Sequence, residues 1–309
     1  MGIITKVEAI DDLIFIQKQD QSQELLVFSS EGKFLRKLCN KGKGPGEAVF
    51  LYGFFVDSVQ KQVYMVDWAN KVILKDYNGN LISEFKCPYG SSDLVMVDKN
   101  HLGFAAGGKN EVCVTDLSGK EIRRFLNYDP PFYFGLRFPI IKTGEGALFQ
   151  RFMDDTLYLV NRDTIKPRYL IDFGKNALTR KQFLQFPANE MGERDIGPQY
   201  MLDLRLSGNA GDILAFTFSY NRKQYNAFAD LVNRRTCIFE FRQTQKDPIL
   251  GKGFLMSSSS NNNYFIGWYL PGSMNMDNIP PVLASAGPIS IEDNPILVFY
   301  RFDFGKGGR

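Results

Sequence analysis

The sequence predicts an all-β fold, a six-bladed β-propeller of four-stranded antiparallel blades, and three observations carry that prediction. First, three stretches align without a gap: LLVFSSEGKFLRKL (25–38), VILKDYNGNLISEF (72–85) and VCVTDLSGKEIRRF (112–125). Each reads as a strand, a polar turn and a second strand, with glycine at one fixed place: Gly32, Gly79 and Gly119. Second, two more strand-like runs precede each stretch, giving four strands per unit and a period of about 40 to 50 residues, the sequence form of a propeller blade. Third, the 309 residues hold about six such periods.

The fixed glycine supplies the positive φ of a tight hairpin turn. Alternation in GKFLRKL and GNLISEF suits half-buried outer strands. Blade one (3–38) adds ITKVEAI and LIFIQKQDQSQ before its hairpin, blade two (54–87) adds GFFVDS and VYMVDWANK, and blade three (92–127) adds SDLVMVDK and LGFAAGGKNE. Blade four (138–174) comprises FPIIKTG, ALFQRFMD, TLYLVNRD and PRYLIDFG; blade five (199–243) comprises QYMLDLRLS, DILAFTFSYN, NAFADLVN and CIFEFRQ. Blade six (252–304) uses KGFLMSSSS, YFIGWYL and PILVFYRFDF, with its outermost strand left to the other terminus. NALTRKQFLQF (176–186) is the one helix candidate, and 269–295, rich in Pro, Asn and Ser, is a long insertion inside blade six. The whole chain, 1–309, reads as one domain.

Composition narrows the function. At 44% hydrophobic and 14% aromatic residues, the chain has ample material for a packed core. The net charge of +3 arises from 37 basic and 34 acidic residues scattered without a basic block, which argues against nucleic acid as a partner. No apolar run has the length of a membrane span, so no transmembrane segment is expected. Met1-Gly2 followed at once by a strand reads as a trimmed start from which a signal segment has been removed. Cys39, Cys87, Cys113 and Cys237 show no metal-binding spacing, and Cys39 and Cys87 close strands as small apolar residues do. His101 is the single histidine, which excludes a zinc site with two or three imidazoles and leaves one for any Ser–His–Asp triad. No Asp-x-Asp-x-Asp-Gly calcium loop occurs. No metal, cofactor or catalytic residue is therefore assigned.

The glycine-rich stretch NKGKGPGEAVFLYGFFVD (40–57) poses a choice between a phosphate cradle and a corner joining two blades. A phosphate loop requires Gly-Lys followed by Ser or Thr and then a helix whose first amides hold the anion. This stretch has neither hydroxyl nor helix and runs into a strand. The corner reading follows.

The same residues carry a family resemblance. VYMVDWANKVILKDYNGNLISEF resembles an NHL-type propeller repeat, with Val66, Asp67, Asn70 and Ile73 in its core pattern. GKFLRKLCNKGKGPGEAVFLYGFFVD is similar to the passage joining the first two blades of a six-bladed, TolB-like propeller family abundant in Bacteroidetes, and EDNPILVFYRF resembles that family's last strand. The resemblance covers residues 3–125 and 292–304. It implies a protein of the periplasm or outer cell surface, exported or lipid-anchored, that recognises glycans, peptides or partner proteins.

Propeller strands alternate in direction, so the connections between second and third strands share a face with the corners between blades. That face gathers Lys43, Pro45 and Glu47; Trp68 and Asn70; Arg151, Asp154 and Asp155; Tyr220, Asn221 and Arg222; and Trp268 and Tyr269. Trp68 and Trp268, the two tryptophans, are expected in equivalent loops of two blades. An indole beside Asn, Asp and Arg makes a platform for sugar or peptide; an indole sealing a gap between blades is the other reading. The expected ligand-binding set is Lys43, Glu47, Trp68, Asn70, Arg151, Asp154, Tyr220, Arg222, Trp268 and Tyr269. Glu47, Asp154 and Asp155 also permit acid–base cleavage of a carbohydrate or lactone, or Ca²⁺ ligation. Asp154-Asp155 equally suits a solvated turn, and Asp57 and Asp67 suit strand-end capping. The first expectation is a non-enzymatic, monomeric binding module, marked by an aromatic-lined surface without a pair of perturbed carboxylates; the alternative is a propeller hydrolase or lyase, marked by two carboxylates of perturbed titration converging in the central funnel.

Overall fold

The computed structural model describes residues 3–19, 23–107, 109–127, 138–183, 185, 199–240, 260–261, 264–269, 271, 288–290, 292, 294–302 and 304. Five four-stranded antiparallel sheets follow one another along the chain, each with its strands in sequence order. The first is β1 (Ile3–Ile10), β2 (Leu13–Gln19), β3 (Glu24–Ser29) and β4 (Phe34–Cys39); the second is β5 (Leu51–Asp57), β6 (Gln62–Asp67), β7 (Lys71–Asp76) and β8 (Leu81–Lys86). The third is β9 (Asp93–Asp98), β10 (His101–Ala105), β11 (Asn110–Asp116) and β12 (Glu121–Asn127); the fourth is β13 (Ile140–Thr143), β14 (Gly146–Gln150), β15 (Thr156–Val160) and β16 (Ile165–Leu170). The fifth is β17 (Leu202–Ala210), β18 (Ile213–Tyr220), β19 (Lys223–Asp230) and β20 (Arg235–Glu240). A three-stranded sheet of β21 (Ser260–Asn261), β22 (Tyr264–Tyr269) and β23 (Ile296–Tyr300) follows. The fold is an all-β propeller with four-stranded antiparallel blades, five of them among the described residues. The expected first strand of a sixth, 252–260, lies outside the described residues except Ser260, and so does most of the insertion 269–295.

The first four blades belong to one compact unit, which also includes Leu204–Leu206; the fifth blade and the three-stranded sheet belong to another. Period-two patterning builds the first unit. On β6, Val63 and Met65 enter a core shared with Phe15, Val27 and Phe54, while Tyr64 and Val66 enter the next, with Leu94 and Phe104. On β9, Leu94 and Met96 belong to that second core, and Val95 and Val97 to a third with Ile140 and Phe149. Both sides of an inner strand are thus buried against neighbouring blades, which explains runs such as DLVMVD that do not alternate. β8, the outer strand of blade two, is almost wholly exposed. In the second unit, Phe228 stacks on Phe302 at 4.3 Å between ring centroids and meets Phe265 edge-on.

The aligned hairpins share one geometry. Gly32, Gly79 and Gly119 have φ of 84°, 94° and 84°. The amide of each donates to the carbonyl three residues back, on Ser29, Asp76 and Asp116. The side chains of those residues accept the amides of Lys33, Asn80 and Lys120. A β-bulge falls at one aligned place, after Val27, Leu74 and Val114. These turns keep the carboxyls of Asp76 and Asp116 below the usual range, through hydrogen bonds from Asn80 and Ser118 first.

The helix candidate at 176–186 is realised in part among the described residues. A 3-10 turn at Gly174–Asn176 precedes a single α-helical turn, α1 (Arg180–Phe183). Thr179 and Gln182 form a reciprocal capping box, the Thr179 amide donating to Gln182 Oε1 at 3.0 Å and the Gln182 amide to Thr179 Oγ1 at 3.2 Å. Such a box starts a helix but does not prolong one, and no residue of this turn is buried.

Candidate functional site

The corner between blades one and two is held by its own carboxylate. Glu47 Oε2 accepts the Gly44 amide at 2.9 Å, and Glu84 Oε1 accepts the Gly46 amide at 2.8 Å. Gly46 has φ 74°. A Cβ at Gly42 would stand 1.9 Å from Glu47 Oε2, so this carboxylate fills the loop. Lys71 Nζ, on the neighbouring strand β7, donates to the Glu47 carbonyl at 3.0 Å. The amides of Gly44 and Gly46, which a phosphate would require, are already given to carboxylates, and the corner reading holds. Lys41, Lys43 and Pro45 are left facing solvent.

Trp68 follows β6 directly, in the turn to β7, and is 62% exposed. It does not seal a gap between blades. Its amide donates to the Phe50 carbonyl of the first corner at 3.0 Å. Asn70, at φ 57°, closes the turn by donating to the Asp67 carbonyl, while its side-chain oxygen accepts the Gly90 amide at 2.9 Å. Its carbonyl accepts the Cys87 amide. The corner 87–92 that follows β8 is thereby fixed to the Trp68 turn, and it carries Tyr89, 71% exposed. The Tyr89 carbonyl in turn accepts the Gly107 amide from the loop between β10 and β11. One continuous series of backbone hydrogen bonds joins four connections of blades one to three on the corner face. Tyr89 was not among the expected residues; Pro88-Tyr89-Gly90, a turn tripeptide after an outer strand, was the available signal.

The remaining expected residues are placed differently. Arg151 Nε donates to Glu111 Oε1 at 2.7 Å, and its Nη2 to the Asn127 carbonyl, so this guanidinium ties blade four to blade three. Asp154 accepts the Thr156 amide and the Tyr158 hydroxyl, each at 2.9 Å, and is a turn residue. Burial, then the charge of Asp154, pushes the neighbouring Asp155 up to about 6. In the second unit, Tyr220 ends β18, and Asn221 and Arg222, at φ 49° and 62°, form the two-residue hairpin turn to β19. Trp268 and Tyr269 correct the expectation of a second tryptophan loop: both lie inside β22, paired with Leu297 and Ile296 of β23. The run YFIGWY continues as strand through Trp268, where the equivalent strand of blade two stops at Asp67.

The feature that residue-by-residue reading missed is a buried charge cluster on the inner strands. Lys6 of β1 donates to the Phe54 carbonyl of β5 at 2.6 Å and lies 3.1 Å from Glu8 Oε1 and 3.7 Å from Asp93 Oδ1 at the start of β9. The rings of Phe54 and Phe138 stand 5.2 and 5.4 Å from its ammonium. Glu8 also accepts the Val56 amide at 3.2 Å. Neither oxygen of Asp93, a fully buried residue, meets a hydrogen-bond donor in good geometry. Burial raises Asp93 to about 6 against the pull of Lys6, and burial raises Glu8 as well. Burial alone would lower Lys6, but the charges of Asp93 and Glu8 more than offset it. A bulge between Ile4 and Lys6 aims the lysine, and Gly53 makes room: a Cβ there would approach Asp93 Oδ1 to 2.9 Å. Two carboxyls of perturbed titration do converge here, on a lysine that joins three consecutive blades.

The four cysteines are free, and burial raises Cys39 and Cys87 to about 11 and Cys113 to about 12, so these three remain neutral thiols. His101 sits 2.7 Å from Asp98 at the opposite, hairpin face. Among the described residues no set of three or more metal-ligating side chains assembles.

Comparison with known proteins now fixes the family. Residues 1–301 match the family described as "Domain of unknown function (DUF4934)". The chain belongs to DUF4934. A solved Bacteroides fragilis structure, named as a "Putative exported protein", superposes on this DUF4934 chain with a TM-score of 0.83 at 22% identity, covering 97% of this chain and 90% of that one. The β-propeller domain of Cps50 (Swd1) from Myceliophteria thermophila gives a TM-score of 0.46 at 13% identity, covering 86% and 80% of the two chains. No curated protein matches the sequence. The likeness of this DUF4934 chain to the Bacteroides fragilis structure concerns the fold. No helix among the described residues is long and apolar enough to cross a membrane.

Proposed function

We propose that this DUF4934 propeller is an extracytoplasmic recognition module that holds a glycan, peptide or partner protein on the corner face of its first three blades, without chemistry on the ligand. The observation that carries this reading is Trp68: an indole 62% exposed, on a turn whose backbone and Asn70 side chain are hydrogen-bonded to the two flanking corners. A large aromatic side chain kept open to water on a rigid scaffold is what a stacking ligand uses, and it has no role in the core. In this reading the three-stranded sheet β21–β23 is the sixth blade of a single NHL-type domain. The protein is then a monomer acting in the periplasm or at the cell surface, in keeping with the name of the Bacteroides fragilis relative. Of the residues expected from sequence, Lys43 and Trp68 bear on the ligand, while Glu47, Asn70, Arg151 and Asp154 shape the scaffold.

Affinity electrophoresis against neutral and acidic polysaccharides, with a bead-bound peptide library as second arm, tests it. Retention by at least one arm that is lost in Trp68→Ala supports the reading; retention unchanged in Trp68→Ala removes it. A hydrolase or lyase is the second reading, favoured by the meeting of Glu8 and Asp93. A catalytic carboxyl must be reached by substrate, however, whereas Asp93 is fully enclosed and bound up with Lys6. Product release from any polysaccharide by the wild type, abolished in Asp93→Asn, would favour the enzyme.

A further inference from the structure

We infer that the ligand of this face is an anionic polysaccharide, a chain of acidic sugars, an inference that rests on the recognition role proposed above. Its ground is the sign of the exposed charges around Trp68 and Tyr89. Lys41 and Lys43 of the first corner, Lys86 at the end of β8 and Lys109 of the loop before β11 are exposed, and none forms an ion pair among the described residues. Among the described residues, four carboxylates on this side of the blades are withdrawn, and Glu24 is paired with Lys18 and Lys37. Asp67 and Asp93 are buried, Glu111 is buried against Arg151, and Glu47 is turned into its own loop. At blade four, Asp154, Asp155 and Asp172 bring carboxylates to the same face, with exposed Lys175 and Lys181 in the segment that follows.

Two open aromatic rings among four unneutralised ammonium groups suit a ligand with flat apolar faces and regularly spaced negative charge. A pyranose ring lays its C–H face on an indole while its hydroxyls stay in water, so it binds an exposed ring without a groove. An acidic peptide lacks such faces, and its side chains bind best in desolvated pockets. Single-stranded nucleic acid shares the flat faces and the charge, and it is separated from the glycan by experiment.

The experiment measures binding of four probes to the whole protein by calorimetry: an oligogalacturonate, its fully methyl-esterified form, poly-glutamate and a thymidine oligonucleotide. The free acid is expected to bind about tenfold or more tighter than its neutral ester and to weaken steeply between low and physiological salt. Lys43→Glu with Lys86→Glu should reproduce the loss while leaving the unfolding temperature unchanged, and Trp68→Ala should weaken binding roughly tenfold. Equal binding of acid and ester overturns the anionic requirement while leaving recognition through Trp68 intact. Tighter binding of poly-glutamate or of the oligonucleotide assigns the face to another class of partner and also overturns the inference. Failure of all four probes, together with failure of every polysaccharide and peptide in the earlier panel, removes this inference and the recognition role together.

Discussion

The two faces of the first three blades are built from the same strands and follow opposite rules. On the hairpin face, the turns at Gly32, Gly79 and Gly119 repeat one hydrogen-bond pattern, and the side chains of Ser29, Asp76 and Asp116 cap their own backbone. On the corner face the described connections of these blades follow no such common pattern. The glycine-rich corner, the Trp68 turn and the Tyr89 corner have different lengths and sequences, yet they are tied into one unit, and their aromatic rings and ammonium groups face outward. The difference teaches that repetition here follows folding, while the irregular face is the one free to serve the proposed recognition role. Loops on a rigid scaffold can diversify where nothing but their own hydrogen bonds constrains them.

The comparison breaks most readily beneath the corner face, where the chain enters β9. Replacing Lys6 with Met leaves Glu8 and Asp93 buried without their counter-charge, and a loss of about 3–5 kcal/mol is expected by urea unfolding at neutral pH. The loss should shrink as pH falls, because burial holds both carboxyls above their ordinary range and they then take up protons. A loss below about 1 kcal/mol would mean that solvent reaches the cluster.

Asp93 gives the next effect. Its folded pKa lies above the unfolded value, so the folded state holds the proton more tightly. The stabilisation is complete below about pH 4 and disappears as pH rises through about 6. Holding this carboxyl at about 6 instead of its ordinary value corresponds to roughly 3 kcal/mol. Wild type should therefore gain stability relative to Asp93→Asn as pH falls from 7 to 4.5. A difference independent of pH would show that Asp93 titrates normally.

The repeated turns sharpen the comparison from the other side. Gly119→Ala combines a left-handed backbone with a Cβ 2.5 Å from the Phe85 ring, whereas a Cβ at Gly32 meets nothing within 4 Å. Losses of about 2–4 kcal/mol at Gly119 and about 1–2 kcal/mol at Gly32 are expected from chemical unfolding. Equal losses would mean that blade packing does not rest on the turn. The smallest effect belongs to the exposed indole: Trp68→Ala should change stability by less than about 0.5 kcal/mol. A larger loss would place the ring in the scaffold after all.

Much of the fold was legible because its determinants are local. Glycine at a fixed offset, alternation and the strand-type flanks sufficed for the hairpins, and the lack of Ser or Thr after Gly-Lys sufficed to reject a phosphate loop. The site was less legible, for two physical reasons. Exposure of a tryptophan depends on where its strand ends, and Trp68 falls one residue past β6 while Trp268 falls inside β22. The buried cluster draws on distant parts of the chain, and a lone Lys or Glu in an alternating strand reads as a solvent-facing residue. ITKVEAI, with two charges inside an inner strand, and Gly53 in the middle of LYGFFVD were its only local traces. Glu47 misled in the other direction: its carboxylate faces inward to the loop amides that glycines had left open.

The central claim, that the irregular face binds and the repeated face does not, is tested most directly by one paired measurement. Oligogalacturonate affinity is compared in Trp68→Ala/Tyr89→Ala and in Val59→Ala/Leu117→Ala, which removes two exposed apolar side chains from the hairpin face. Binding lost in the first pair and kept in the second, with both unfolding like the wild type, is the predicted result. Undiminished binding without the two rings, or its loss on changing Val59 and Leu117, would contradict it.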